Sequence, residues 1–191
     1  MKPIAITGGI GSGKSVVSRM LIAMGYMVYD CDSRAAAIMA TDKAMQQRIA
    51  NEISSESVAE GCINRKKLAE VVFADKKALE RLNSIVHGAV REDIRNWIAH
   101  NPDEILFVET AILYQSGIDK MVSQVWMVDA PTWLREERAM ARDNACREAI
   151  AARIAAQDSF VPEVIHPATI KLVNDGVEPL IPQLLAALAA L

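Results

Sequence analysis

Residues 8–15 read GGIGSGKS, which places Gly8, Gly13, Lys14 and Ser15 in the pattern Gly-x4-Gly-Lys-Ser. This is the Walker A form, and each position in it has a physical reason. Glycines permit backbone angles closed to other residues and let phosphates approach closely. The loop's N–H groups then converge on a β-phosphate, and a following helix aims its positive N-terminal end at the same oxygens. A lysine at position 14 can bridge β- and γ-phosphates, and a hydroxyl at position 15 can ligate Mg²⁺. The bland alternative is a Gly-rich turn that merely links a strand to a helix. The flanks argue against it. The mostly apolar residues 3–7 (PIAIT) read as a buried strand, and Val17, Met20, Leu21 and Met24 follow at helical spacing. The loop implies a bound nucleoside triphosphate, without separating a kinase from a GTPase or an ATPase.

Outward from the loop, Gly25 ends the helix expected over 14–24. Residues 26–29 read as a second strand, with Asp30-Cys31-Asp32-Ser33 at its carboxyl end. Strand, loop, helix, strand is a βαβ unit with a right-handed crossover. No strand is expected over 34–100, where helices at 34–40, 43–52, 65–73 and 76–99, with Gly61 breaking the series, form an insertion of the kind that often binds substrate. Further strands are expected at 105–108 (ILFV), 125–128 (VWMV) and 170–173 (IKLV). Charged helices are expected from Pro131 to about 140 and over 147–157, and a closing helix packed on the core over the apolar run 180–191, a run too short to span a bilayer and interrupted by Pro182. Five short apolar strands alternating with helices predict a three-layer α/β fold with a five-stranded parallel sheet. Ligands of such sheets bind at the strands' carboxyl ends. Loop 8–15, the Asp30/Asp32 pair and the segment after Val108 all fall there.

Composition narrows the class. The chain has 191 residues, 51% of them hydrophobic, enough for a sizeable core. A formal net charge of −3 argues against a nucleic-acid partner. Cys31, Cys62 and Cys146 are odd in number, far apart and without metal spacing, which suggests a reducing compartment, no disulfide and a packing role for each. No apolar run is long enough to span a bilayer or serve as a signal peptide, so a cytoplasmic enzyme without a membrane partner is expected. Trp97, Trp126 and Trp133 read as packing residues, and Met20, Met24 and Met27 as core filling. His87, His100 and His166 lack metal spacing, and His100 reads as a surface residue.

Two groups of side chains carry candidate chemistry. Asp30 and Asp32, at alternate positions near a strand end, suit a proton acceptor or a partner of Mg²⁺ near a γ-phosphate. The structural alternative is that Asp32 or Ser33 caps the helix beginning near Arg34. Arg135, Arg138, Arg142, Arg147 and Arg153 are interleaved with Glu136, Glu137, Asp143 and Glu148. Spacings of i,i+3 and i,i+4 put Arg135, Arg138 and Arg142 on a shared helix face. Such a run is either a solvated, salt-bridged surface or a lid whose arginines close over a transferring phosphoryl group and exclude water.

At this point the chain resembles the dephospho-CoA kinase family over nearly its whole length. TGGIGSGKS at 7–15 is similar to the family's start almost letter for letter, and Asp30-Cys31-Asp32 looks like its Asp-Ala-Asp motif. NRKKLAEVVF at 64–73 resembles its Arg-x2-Leu-x4-Phe element, and LNSIVH at 82–87 its Leu-Asn-x3-His stretch. ARDNACREAIAARIAAQ at 141–157 is similar to the family's lid, and VNDG at 173–176 to its late Asn-x-Gly. Departures are Val16 where Thr is frequent, Gly88 after His87 where the family has Pro, and AILYQ at 111–115 in place of Pro-Leu-Leu-Phe-Glu.

The resemblance implies a P-loop NTPase fold with a helical substrate-binding insertion (34–100), a helical lid (138–158) and a nucleotide-binding core (1–33 and 101–191). It implies transfer of the γ-phosphoryl of ATP to the 3′-hydroxyl of dephospho-CoA, the last step of coenzyme A synthesis, with Mg²⁺. Asp32 would be the base, with Lys14 and Arg142 assisting. Gly11, Ser12, Gly13, Lys14, Ser15, Val16, Arg138, Asn174 and Gly176 would bind the nucleotide, Ser15 the metal, and Asp32, Arg65 and His87 the acceptor. A monomer or weak homo-oligomer is expected. A nucleoside monophosphate kinase, or another small-molecule kinase of the same core, is the rival enzyme reading. A P-loop GTPase would need an Asn-Lys-x-Asp guanine motif, and none occurs.

Overall fold

The apolar run before the glycines forms β1 (Ile4–Thr7), buried throughout. In chain order the following helices and strands are α1 (Lys14–Ala23), β2 (Met27–Asp30), α2 (Cys31–Thr41), α3 (Lys43–Glu52), β3 (Val58–Ala59), β4 (Cys62–Ile63), α4 (Arg65–Ala74), α5 (Lys76–Ala99), β5 (Leu106–Glu109), β6 (Gln124–Asp129), α6 (Thr132–Asp143), α7 (Arg147–Asp158), β7 (Thr169–Val173) and α8 (Leu180–Ala189). This computed structural model describes residues 2–59, 61–102, 104–160 and 162–191. The chain divides into two compact units, Met1–Tyr29 with Pro102–Leu191, and Asp30–Asn101.

The first unit is built on a five-stranded sheet ordered β2-β5-β1-β6-β7. β1 pairs in parallel with β5, Ile4 beside Phe107, and with β6, Ile4 beside Gln124. β7 continues in parallel outside β6. A central strand of this kind must be apolar on both faces. Ile4, Ile6, Phe107, Trp126, Val128 and Leu172 pack with Val17 and Leu21 of α1 and Leu180, Leu184 and Ala187 of α8. The rings of Phe107 and Trp126 are 5.1 Å apart, and Tyr26 sets its edge against Phe107 at 5.5 Å. Ala5, Val108 and Val125 face the other way and are also fully buried. All five expected strands are present in the expected parallel sheet, with ends displaced by about one residue.

The second unit is helical. Met45, Ile49, Leu68, Val72 and Ile85 form its centre. Its helix starts are set by local chemistry: Asp42, Asn64 and Asp75 each accept a hydrogen bond from a backbone N–H in the first turn of the following helix. α3 and α5 begin and end where the apolar spacing places them.

Several expectations are corrected. Residues 34–100 are not free of strand: β3 and β4 pair antiparallel, Val58 beside Ile63. Two-residue strands carry too little alternation to register as a pattern. The cap of α2 is Asp30 rather than Asp32 or Ser33. Its carboxylate accepts from the N–H groups of Asp32 and Ser33, and α2 begins at Cys31. The closing helix is present as α8, packed on the core through Leu180 and Leu184, and Pro182 sits in its first turn, where its missing N–H has no helical partner to lose. Trp133 is 61% exposed, unlike the fully buried Trp126. Cys62 and Cys146 are exposed and only Cys31 is buried. Met24 and Met27 also lie largely at the surface. His100 is exposed, as its place at the end of α5 suggests.

Candidate active site

The glycine-rich segment joins β1 to α1 as a tight loop. Gly11 and Gly13 adopt positive φ, 76° and 100°, a region that side chains disfavour. Gly13 is the N-cap of α1, and its carbonyl accepts from Val16 N at 2.9 Å and Val17 N at 3.3 Å. The first turn of α1 contains no acidic residue. Nothing in that turn offsets the positive pole of the helix, which favours an anion there. Lys14 Nζ donates to Gly8 O at 2.9 Å and Gly9 O at 3.2 Å, so its ammonium lies over the loop's own carbonyls. Ser15 is exposed in the same turn.

Asn174, at the carboxyl end of β7, braces the loop. Its N–H donates to Asp129 O and its side-chain amide to Ser12 O, each at 2.8 Å. Its own carbonyl accepts from Arg138 at 3.0 Å. Arg138, Asn174, Ser12 and Gly13, all expected near the nucleotide, are thus brought together. Gly176 turns the chain after β7 with φ 85°.

Arg135 was legible only as one member of a charged run, yet it is the buried one, 8% exposed. It donates to Ile10 O at 3.0 Å and makes a two-pronged pair with Asp158, both contacts 3.0 Å. Gln157 is the other contact the candidate set lacked: its Oε1 accepts from Ile10 N at 2.6 Å, and its Nε2 donates to Ala111 O at 3.2 Å. The only available signal for Gln157 was its place at the end of the lid motif. A cavity of about 370 Å³ opens beside Gly8 and Gly9, lined in part by Tyr114, Asp129, Arg135, Gln157 and Asp158.

Arg142 stands apart from the loop contacts. It makes a two-pronged pair with Asp143 at 2.7 and 3.1 Å, and Arg153 shares the same carboxylate at 2.7 Å. Hydrogen bonds from Arg142 and then Arg153 hold the Asp143 carboxyl well below the usual carboxylate range. The Asp143 hydrogen bond in turn raises the Arg142 pKa. Arg147 lies 3.7 Å from Glu136. α6 and α7 pack through Ala139, Ile150 and Ile154, with Ile10 against them.

Asp32, Arg65 and His87 belong to the helical unit. Asp30 is committed to the cap, whereas Asp32 is exposed in the first turn of α2. Arg65 is the exposed first residue of α4. His87 is half-buried in α5, and burial, then the Arg91 charge, lowers its pKa. Among the described residues no cluster of three or more His, Cys, Asp and Glu side chains could hold a metal by itself. A cation here would take its oxygens from a hydroxyl such as Ser15, from water and from substrate phosphates, the ordinary manner of Mg²⁺.

A family model of dephospho-CoA kinase matches residues 3–179. The chain belongs to the dephospho-CoA kinase family. A dephospho-CoA kinase from Bacteroides fragilis is 41% identical over 189 residues, 98% of this chain and 92% of that one. Another from Porphyromonas gingivalis is 40% identical over 158 residues, 83% of this chain and 78% of that one. A Thermus thermophilus crystal structure superposes with a TM-score of 0.77 at 31% identity, covering 100% of this chain and 96% of that one. A Campylobacter jejuni dephospho-CoA kinase shares the fold, TM-score 0.65 at 23% identity, covering 98% and 95%.

Within this kinase the departures from the family pattern have visible settings. Val16 is partly buried against the main core. A side chain at Gly88 would meet nothing within 4 Å, so space does not dictate glycine there. Ala111 contributes its carbonyl to Gln157, while Tyr114 accepts from His166 N at 3.3 Å through its hydroxyl. Gln115 lines the cavity.

Proposed function

We propose that the chain transfers the γ-phosphoryl group of ATP to the 3′-hydroxyl of dephospho-CoA, giving coenzyme A and ADP. The observation that carries the proposal is the loop: helix-pole N–H groups, the Lys14 ammonium and the Ser15 hydroxyl gathered where β1 ends, in a member of this family. Residues 11–16 receive the phosphates. Lys14 exchanges Gly8 O and Gly9 O for phosphate oxygens, a gain because those oxygens are charged. Ser15 fits as the protein ligand of Mg²⁺, which when bound neutralises charge on the β- and γ-oxygens. Arg138, Asn174 and Gly176 complete the nucleotide side.

Asp32 takes the proton of the 3′-hydroxyl as the new P–O bond forms and the bond to the β-phosphate oxygen breaks. It is the better base of the pair because Asp30 is occupied by the cap. Arg142 stabilises the moving phosphoryl group, and Arg65 and His87 contact the acceptor. In this scheme residues 34–100 bind the acceptor, 138–158 act as a lid, and 1–33 with 101–191 bind the nucleotide. A cytoplasmic monomer or weak homo-oligomer, with no nucleic-acid or membrane partner, accompanies the reading. Among the described residues no helix is long and apolar enough to cross a membrane.

A coupled ADP-release assay across dephospho-CoA, pantothenate derivatives and nucleoside monophosphates tests it. Turnover with dephospho-CoA should exceed the others by orders of magnitude. A preference for AMP or CMP would overturn the assignment.

A further inference from the structure

Ile10 of the phosphate loop has its backbone N–H, its backbone carbonyl and its side chain all held from outside the loop. Gln157 of α7 takes the N–H at 2.6 Å. Arg135 of α6 takes the carbonyl at 3.0 Å. The side chain packs against Ala139, Ile150 and Ile154. Each holder is itself held. Arg135 is fixed by two hydrogen bonds to Asp158. Gln157 is fixed by its bond to Ala111 O. The backbone of Arg135 also lies where a side chain on Gly11 would have to go.

We infer that Gln157 and Arg135 are positioning residues for nucleotide binding, acting through Ile10 to set the register at which the loop presents its N–H groups to phosphate. The Ile10 N–H belongs to the Gly9–Ile10 peptide and its carbonyl to the Ile10–Gly11 peptide, so two successive peptide planes are fixed. With the Ile10 N–H turned to Gln157, that amide is not offered to phosphate, which leaves the task to the amides that follow it. A loop released at Ile10 would have to be ordered by the nucleotide itself, and part of the binding free energy would go to that ordering. The inference rests on the loop being the nucleotide site, and its test separates the two claims.

Amide exchange and chemical shifts of the isotope-labelled full chain are measured with and without ADP and Mg²⁺. The Ile10 amide should be protected in the free protein and stay so, while the amides of residues 11–15 shift on ADP addition. In Gln157→Leu, which keeps the bulk and loses both hydrogen bonds, the Ile10 amide should exchange at least about tenfold faster. The dissociation constant for ADP should rise roughly tenfold, the scale of one or two lost hydrogen bonds, with the KM for dephospho-CoA within about twofold. A readily exchanging Ile10 amide in the unmutated protein overturns the inference, and does so even if the leucine variant fails to fold. So does a folded variant with unchanged ADP affinity. If ADP shifts no loop amide while Ile10 is protected, the nucleotide reading fails and the positioning role for nucleotide fails with it.

Discussion

Gly13→Ala places a methyl group at the N-cap of α1, where two effects can be separated. The φ of 100° lies in the left-handed region, and a residue with a Cβ there costs about 1–2 kcal/mol. The new Cβ would also fall well inside contact distance of the Asn174 side-chain nitrogen. That side chain can swing away, but only by giving up its 2.8 Å bond to Ser12 O, about 1 kcal/mol. The sum is about 2–3 kcal/mol, or about 5–10 °C in melting temperature for a chain of this size. Asn174→Ala alone should cost the hydrogen bond, about 1 kcal/mol. In the double variant the bond can be lost only once, so the penalties should fall short of additivity by about 1 kcal/mol. Urea denaturation of the four proteins of this cycle reads the difference directly. Additivity within about 0.3 kcal/mol, or a Gly13→Ala melting point within about 1 °C of the parent, would refute the reasoning.

Asp32→Asn should fold normally and lower kcat by about 10²–10⁴; near-normal turnover would remove Asp32 from the base role. Arg142→Ala should lower kcat, by up to about 10³–10⁵, more than it weakens ATP; a raised KM with unchanged kcat would mark a ground-state binder. His87 makes a pH prediction. Its folded pKa lies below the ordinary 6.5, so above that value both folded and unfolded chains carry it neutral and it adds no pH dependence. Below it the unfolded chain takes up the proton first, and stability falls as pH falls. Denaturation midpoints at about pH 7.5 and about pH 5.5 should therefore differ more in the parent than in His87→Gln; equal slopes would remove His87 as the source.

The sheet and the loop were legible because their signals are local. Apolar runs bounded by glycine and charge mark the strands, and the Walker spacing marks the loop. The arginines show where locality ends. Arg135, Arg138 and Arg142 are alike in sequence, and spacing puts them on one face. Only tertiary contacts, to Ile10, to Asp158 and to the carbonyl of Asn174, separate them into a buried brace, a link to β7 and a surface pair with Asp143. Trp133 and Trp126 differ for the same reason. α6 buries the face of Arg135 and Ala139, and Trp133 lies off it. The division between Asp30 and Asp32 was also hidden, because either aspartate satisfies the preference for an acidic cap, and only the geometry assigns it to Asp30.

That sorting of the arginines bears on catalysis. Arg135 and Arg138 are held by backbone carbonyls of the loop and of β7, so their charges already belong to the site's framework. Arg142 and Arg153 share the Asp143 carboxylate. Because Asp143 is held well below the usual carboxylate range, it stays ionised across physiological pH. Arg142 can therefore reach a phosphoryl group only by exchanging one anion for another. Arg153 remains to satisfy Asp143 when it does so, which lowers the cost of the exchange. The exchange favours the partner with more charge in the less hydrated setting, which in the proposed function would be the transferring phosphoryl group. In the proposed function an arginine gated in this way would contribute little to nucleotide capture and most at the step where charge moves, which is why the Arg142→Ala prediction is read in kcat.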